Sequence, residues 1–225
     1  MNQAQPSRVL IVVAKRPAPG LTKTRLTPPL TPRQASNLYE AFLRDTLKLI
    51  RRLPDVKPAI AYLPQSARAY FRALAPGFDL LTQQGDNLGS RLDNALQHYL
   101  RDGCSPAVIM DSDSPTLPLE YLQAAFCTLQ EGADVALGPC DDGGYYLIGL
   151  KHPAPRLLRE VRMSTPTVTA ETLALAAQEG LQVAMLPSWY DVDDAASLHR
   201  LADELRQNRD GLARHTRLVL NGLDV

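Results

Sequence analysis

Residues Val9-Leu-Ile-Val-Val-Ala14 form an unbroken apolar, β-branched run. A strand covered on both faces reads this way, because neither set of alternating side chains meets water. Shorter apolar runs follow at Ala59–Leu63, Phe78–Thr82, Ala107–Met110, Val135–Gly138, Tyr145–Leu150 and Leu181–Leu186. Helical patterns lie between most of them. Residues 31–53 open with Thr31-Pro32-Arg33-Gln34, a capping box with proline at the first helical position. Ala35, Leu38, Phe42, Leu49 and Leu53 then fall on one face. Further helices are expected at Ser66–Leu74, Leu88–Leu100, Leu119–Glu131, Val168–Glu179 and Ala195–Asn208. Gly132 and Gly180 stand where an αL residue would end two of them.

Strands alternating with helices predict an α/β fold of three layers, α/β/α, around a mostly parallel sheet. One segment breaks the alternation. Val135–Gly138 and Tyr145–Leu150 are joined by the short Gly-rich stretch Pro139-Cys-Asp-Asp-Gly-Gly144, which predicts an antiparallel insertion and hence a mixed sheet. No linker, internal repeat or low-complexity stretch interrupts residues 1–225, so a single domain is expected. Helical residues 195–220 could pack on that domain or on a second copy of the chain, which leaves a homo-oligomer open.

Composition narrows the function. The 24 Lys+Arg balance 24 Asp+Glu for a formal net charge of +0, which removes the global attraction that non-specific nucleic-acid binding needs. Cys104, Cys127 and Cys140 share no metal-ligand spacing and are odd in number, which suits reduced thiols in a cytoplasm. No stretch approaches the roughly 18–20 apolar residues of a membrane span, so neither membrane nor nucleic acid is an expected partner.

In open α/β sheets ligands bind beyond the carboxyl ends of the strands, and the polar clusters of this chain fall there. After the first strand, Lys15, Arg16, Lys23 and Arg25 lie in a loop stiffened by Pro17, Pro19 and Gly20. Fixed cations of this kind suit phosphate, although a solvated surface loop would look similar and no Walker motif is present. Asp111-Ser-Asp113 follows Val108-Ile-Met110; alternation along an extended chain would put both carboxylates on one side, as hard ligands for Mg²⁺ or Mn²⁺. The same residues before Pro115 would also suit a helix-capping loop. Asp141-Asp142-Gly143-Gly144 reads as a hairpin turn, or as an acid beside backbone that a ligand can approach closely. Asp191-Val-Asp193-Asp194 leads into a helix as an N-cap, with Asp193 a candidate metal ligand. His98, His152, His199 and His215 have no partner spacing, and no Ser/His/Asp triad is signalled.

The order of these motifs resembles a bacterial family of radical-SAM/selenodomain-associated transferases, some linked to arsenosugar biosynthesis. The matching pieces are Ala14-Lys-Arg-Pro-Ala-Pro-Gly20, Thr22-Lys-Thr-Arg-Leu26, Gln84-Gly-Asp-Asn-Leu-Gly-Ser-Arg-Leu92 and Asp111-Ser-Asp-Ser-Pro115. They continue with Leu137-Gly-Pro-Cys-Asp-Asp-Gly-Gly-Tyr-Tyr-Leu-Ile-Gly-Leu150, Ser164-Thr-Pro166 and Asp191-Val-Asp193. The resemblance implies the nucleotide-diphospho-sugar transferase (GT-A) fold and glycosyl transfer from a nucleotide sugar to a small-molecule acceptor. It implies that Lys15, Arg16, Gly20, Lys23 and Arg25 bind the diphosphate, with Lys23 and Arg25 acting in catalysis. Gly85, Asp86 and Arg91 would meet the nucleobase or ribose. Asp113, with Asp111 and Asp193, would hold the metal, while Asp142, beside Gly143 and Gly144, would serve as the base or contact the acceptor. The chain departs from the family pattern at Asp111, where a small neutral residue is usual, and at Met163, where Trp precedes Ser-Thr-Pro. A pyrophosphate-releasing nucleotidyltransferase on the same fold, or a non-catalytic nucleotide-binding protein, would use many of the same residues.

Overall fold

The computed structural model describes residues 8–208 and 211–223. The first apolar run lies in strand β1 (Arg8–Lys15), which pairs in parallel with β2 (Val56–Leu63) on one side and β4 (Ala107–Met110) on the other. With neighbours at both edges and helices over both faces, Val9, Leu10, Ile11 and Val12 are all fully buried, which accounts for the missing alternation. β2 begins three residues before the expected Ala59, because Val56, Lys57 and Pro58 pair in register with Arg8, Val9 and Leu10. A fourth parallel strand, β3 (Asp79–Thr82), closes that edge.

The hairpin expected at 135–150 is present. β5 (Val135–Pro139) and β6 (Tyr145–Leu150) pair antiparallel, and β6 also runs antiparallel to β4. β7 (Val183–Met185) pairs in parallel with β5, giving the order β3-β2-β1-β4-β6-β5-β7. Six strands run one way and β6 runs the other.

Helices cover the two faces in separate cores. On one side, Leu10 and Val12 pack with Phe42 and Leu47 of α1 (Pro32–Ile50), Phe71 of α2 (Arg68–Leu74), Phe126 of α4 (Leu119–Glu131), Leu198 of α7 (Ala195–Gln207) and Leu220 of α8 (Arg214–Leu220). On the other side, Val9 and Ile11 pack with Leu96 of α3 (Leu88–Arg101), Leu157 of α5 (Arg156–Arg159) and Ala176 of α6 (Val168–Gln178). Phe42 is fully buried, so Phe42→Ala would cost roughly 3–5 kcal/mol through lost transfer energy and a residual cavity.

The capping box at Thr31 forms as expected: Thr31 Oγ1 accepts from the Gln34 N–H, and Gln34 Oε1 accepts from the Thr31 N–H at 2.8 Å. The helix expected at Ala195–Asn208 forms as α7, which ends at Gln207, and the remaining C-terminal helical residues form a separate helix, α8, from Arg214. α8 packs on α1. The buried carboxylate of Asp45 on α1 accepts the N–H groups of His215 and Thr216 at 3.1 and 2.8 Å, so it satisfies two of the donors that a helix start leaves open.

Candidate functional site

At the carboxyl edge of the sheet, four segments converge. They are the loop after β1, the turn after β4, the β5–β6 hairpin, and the stretch that enters α7. Backbone hydrogen bonds hold them in place. The Asp111 N–H donates to the Tyr146 carbonyl at 3.0 Å, the Val192 N–H to the Asp113 carbonyl at 3.0 Å, and the Asp141 N–H to the Trp189 carbonyl at 3.0 Å. Tyr39 of α1 adds a tether. Its hydroxyl accepts the Lys15 N–H at 3.1 Å and shares a hydrogen bond with Ser112 Oγ at 3.0 Å.

The four cations of the loop separate into two kinds. Thr22 is buried, and its hydroxyl bonds the Ala18 carbonyl, which closes the turn at residues 18–22. Lys23 follows in the αL conformation (φ 50°, ψ 42°), and its side chain turns into the protein with only 5% of its surface exposed. Its ammonium sits 2.8 Å from Asp113 Oδ1 and 2.7 Å from Asp193 Oδ1. Burial alone would lower the lysine pKa. The charges of Asp113 and Asp193 and the hydrogen bonds they accept outweigh that cost and raise it above its ordinary value. Lys15 and Arg16 are exposed, Arg16 lying 5.6 Å over the Tyr70 ring, and Gly20 is exposed in the same loop. Arg25 is 75% exposed and approaches Asp193 Oδ2 at 3.5 Å.

The structure therefore brings Lys23, Arg25, Asp113 and Asp193 together, with an ammonium as the partner of the two carboxylates. Asp111 stays close enough to Asp113 to feel its charge, but the two residues sit in a turn rather than on the extended chain that the alternation assumed. β4 ends at Met110, and Asp111 Oδ1 accepts the Asp113 N–H at 3.0 Å in a local turn, so the extended geometry behind the alternation does not reach these residues.

Asp111 and Asp191 form no ion pair among the described residues, and the Lys23 charge offsets their burial only in part. Burial first, then the charges of Asp113 and Asp191, hold the Asp111 carboxyl well above the usual range. Burial, Asp193 and Asp142 push Asp191 up to about 6. Cys140 Sγ and single carboxylate oxygens of Asp142 and Asp191 lie within 4.8 Å of one another. Burial, followed by the charges of Asp111, Asp191, Asp142 and Asp141, pushes the Cys140 thiol up strongly. Asp142 sits exposed at the hairpin tip, and its Oδ1 accepts the Gly144 N–H at 2.8 Å. Gly143 has φ +89°, and a Cβ there would fall 2.0 Å from the Pro166 carbonyl oxygen, so the Ser164-Thr-Pro166 motif seats the hairpin. Thr169, in the first turn of α6, donates its hydroxyl to the Gly144 carbonyl at 2.6 Å. Met163 Sδ accepts from the Tyr145 hydroxyl at 3.6 Å.

Gly85 and Asp86 are exposed after β3, beside the α3 N-cap Asn87. Arg91 lies in the first turns of α3, with a buried Nε that has no hydrogen-bond partner among the described residues. These three share the carboxyl edge with the acidic cluster, but β2 and β1 stand between β3 and β4. Asp191, Cys140, Tyr39 and Ser112 join the site without having been singled out as site residues from sequence. The signal for Asp191 is its D-x-D spacing to Asp193, which repeats that of Asp111 and Asp113.

Residues 46–165 match the family described as "Uncharacterized protein conserved in bacteria (DUF2064)". The chain belongs to this family. A solved structure described as a "putative nucleotide-diphospho-sugar transferase" from Desulfovibrio desulfuricans G20 is 34% identical, covers 97% of this chain and 95% of its own, and superposes with a TM-score of 0.88. A CMP:2-keto-3-deoxy-manno-octonic acid synthetase in complex with CTP is 12% identical over 89% of this chain and 99% of its own, with a TM-score of 0.59. Rv0371c from Mycobacterium tuberculosis H37Rv in complex with manganese is 16% identical over 88% of this chain and 100% of its own, with a TM-score of 0.55. No curated protein sequence matches. The DUF2064 chain thus has the nucleotide-diphospho-sugar transferase fold, which nucleotidyltransferases share. No helix among its described residues is long and apolar enough to cross a membrane.

Proposed function

We propose that this protein is a metal-dependent glycosyltransferase that moves a sugar from a nucleoside-diphosphate sugar to a small hydroxyl acceptor. The observation that carries this reading is the meeting, at one sheet edge, of outward-facing cations with carboxylates that form no ion pair among the described residues. Lys15, Arg16 and Arg25 are exposed and able to grip diphosphate oxygens, and Gly20 lets the ligand approach the loop backbone. Asp111 and Asp191 offer hard oxygen donors whose ionised forms are disfavoured by burial first and then by the surrounding carboxylates, an environment that a divalent cation relieves. They fit Mg²⁺ or Mn²⁺, and the manganese complex of the M. tuberculosis protein supports that choice on this fold. Bound there, the ion would offset negative charge on the leaving diphosphate.

The chain's own residues divide the remaining work. Lys23 holds Asp113 and Asp193 in place and fixes the β1 loop against the sheet edge. Asp142 takes the proton of the acceptor hydroxyl, with its carboxylate oriented by the Gly144 N–H. Gly143 and Gly144 let the hairpin pack against Pro166 and turn Asp142 back onto the Gly144 N–H, which presents that carboxylate to the sugar. Gly85, Asp86 and Arg91 take the nucleobase or ribose. The similarity to radical-SAM/selenodomain-associated and arsenosugar-type transferases supports a small-molecule acceptor, and retained thiols at Cys104, Cys127 and Cys140 suit a cytoplasmic single-domain enzyme.

The test is product analysis on a panel of nucleotide sugars with Mn²⁺. Release of nucleoside diphosphate is the expected result, with Asp142→Asn slowing turnover by about 100-fold or more. Release of pyrophosphate from nucleoside triphosphate would instead establish the nucleotidyltransferase reading, which the CTP-bound neighbour favours. Binding of nucleotide sugar without turnover would reduce the protein to a nucleotide-binding module.

A further inference from the structure

We propose that Cys140, Asp142 and Asp191 form a site for a thiophilic divalent cation of the zinc class, with Cys140 as a thiolate ligand. The three ligand atoms lie within 4.8 Å of one another, close enough for one small ion to draw them together. Cys140 is only 8% exposed, and its Sγ makes no hydrogen bond among the described residues although two carboxylates face it. Cys140 borders the apolar core on one side and the two carboxylates on the other.

The ligands are already held in place. The Cys140 N–H donates to the Gly144 carbonyl at 2.9 Å, and Cys140 forms a parallel bridge with Trp189, two residues before Asp191. The Gly144 N–H fixes Asp142 from the other side of the hairpin at 2.8 Å. The hairpin tip and the segment entering α7 are thus registered by backbone, so ion binding needs little rearrangement.

The donor set decides the class of metal. Mg²⁺ takes oxygen ligands in near-octahedral geometry, whereas a thiolate with two carboxylates suits tetrahedral zinc-like ions that keep a fourth position for water. On binding, the thiol proton passes to solvent as the sulfur–metal bond forms. Asp191 is shared with the cation proposed above, yet this site stands or falls independently of glycosyl transfer. Its consequence for that reaction is that a bound zinc-class ion engages Asp142 and removes it as a base.

Titration of the full-length protein with Co²⁺ alone tests the site. The expected result is one equivalent bound with near-ultraviolet thiolate-to-cobalt absorption, lost in Cys140→Ser and displaced by Zn²⁺ at far lower concentration than by Mg²⁺, which competes only through Asp191. Asp142→Asn, at an exposed position, keeps the fold and weakens Co²⁺ binding at least tenfold. No charge-transfer band in the wild type, the same band in Cys140→Ser, or displacement by Mg²⁺ as readily as by Zn²⁺ would overturn the proposal. A thiolate band in a protein that turns over no nucleotide sugar would sink the glycosyltransferase reading and leave the metal site standing.

Discussion

Asp113 and Asp193 lie on either side of one ammonium, whereas Asp111 and Asp191, each two residues earlier, form no ion pair among the described residues and feel that ammonium only as a minor charge. The two halves of the acidic cluster have the same residue type and the same spacing. What separates them is the direction of a single lysine. The neutralised half behaves as structure, tying the β1 loop to the sheet edge. The other half stores electrostatic repulsion that an added cation relieves. A D-x-D spacing by itself therefore does not identify metal ligands; the partner already present in the fold decides which carboxylates remain available.

The largest effect is expected at the lysine. Lys23→Met leaves Asp113 unpaired and Asp193 with only the exposed Arg25, and because these carboxylates are 31% and 39% exposed the loss is set below that of a fully buried pair. Roughly 2–3 kcal/mol, or about 4–12 °C in melting temperature, should disappear without metal, with Mn²⁺ restoring more stability to the variant than to the wild type. Equal melting curves with and without the lysine would dissolve the distinction between the two halves.

Neutralising one acid in each half sharpens it. At pH 7 in chelator, Asp113→Asn should cost about 1 kcal/mol, because Lys23 loses a partner, whereas Asp191→Asn should gain up to about 1 kcal/mol by relieving repulsion. Asp191→Asn should also abolish stabilisation by Mn²⁺. Changes of the same sign in denaturant midpoints would break the comparison.

Acidity gives a third handle. The Asp191 pKa of about 6 lies above its unfolded value of about 3.9, so the folded state keeps this proton longer. Its contribution to metal-free stability is fully present below about pH 4 and is lost as pH rises towards 6. Discounted for partial exposure, the change is roughly 1 kcal/mol, read as the difference between wild type and Asp191→Asn in melts across that range. A flat difference would contradict the raised pKa. The smallest effect is expected at Arg25, 75% exposed and 3.5 Å from Asp193, where Arg25→Ala should change stability by less than about 0.5 kcal/mol. A loss as large as that of Lys23→Met would mean that Asp193 depends on the outer cation.

Much of the scaffold was legible in the sequence because its signals are local. The run Val9–Ala14 implied coverage on both faces, Thr31 and Gln34 marked the start of α1, and Asp142-Gly143-Gly144 marked the one antiparallel connection. The docking of α8 was not legible, since it depends on Asp45 meeting backbone N–H groups about 170 residues later. The site was legible by position along the sheet edge and illegible by partner. Lys15, Arg16, Lys23 and Arg25 look interchangeable as a string, yet only the turn closed by Thr22 and the backbone angle at Lys23 send one of them inward. Asp191 and Cys140 matter because the segment entering α7 crosses the end of β5, a contact between distant stretches with no local pattern.

The αL backbone of Lys23 sets two demands on one position that no single amino acid meets at once. Glycine would relax the main chain there but supply no ammonium, while every cationic residue carries a Cβ and bears the conformational cost, roughly 1 kcal/mol. A Lys23→Gly protein should consequently lose less stability than Lys23→Met by about that amount, although both lack the charge. Residue 23 is thus a compromise between chain geometry and electrostatics, and the folded protein carries the geometric cost so that the charge stays in place.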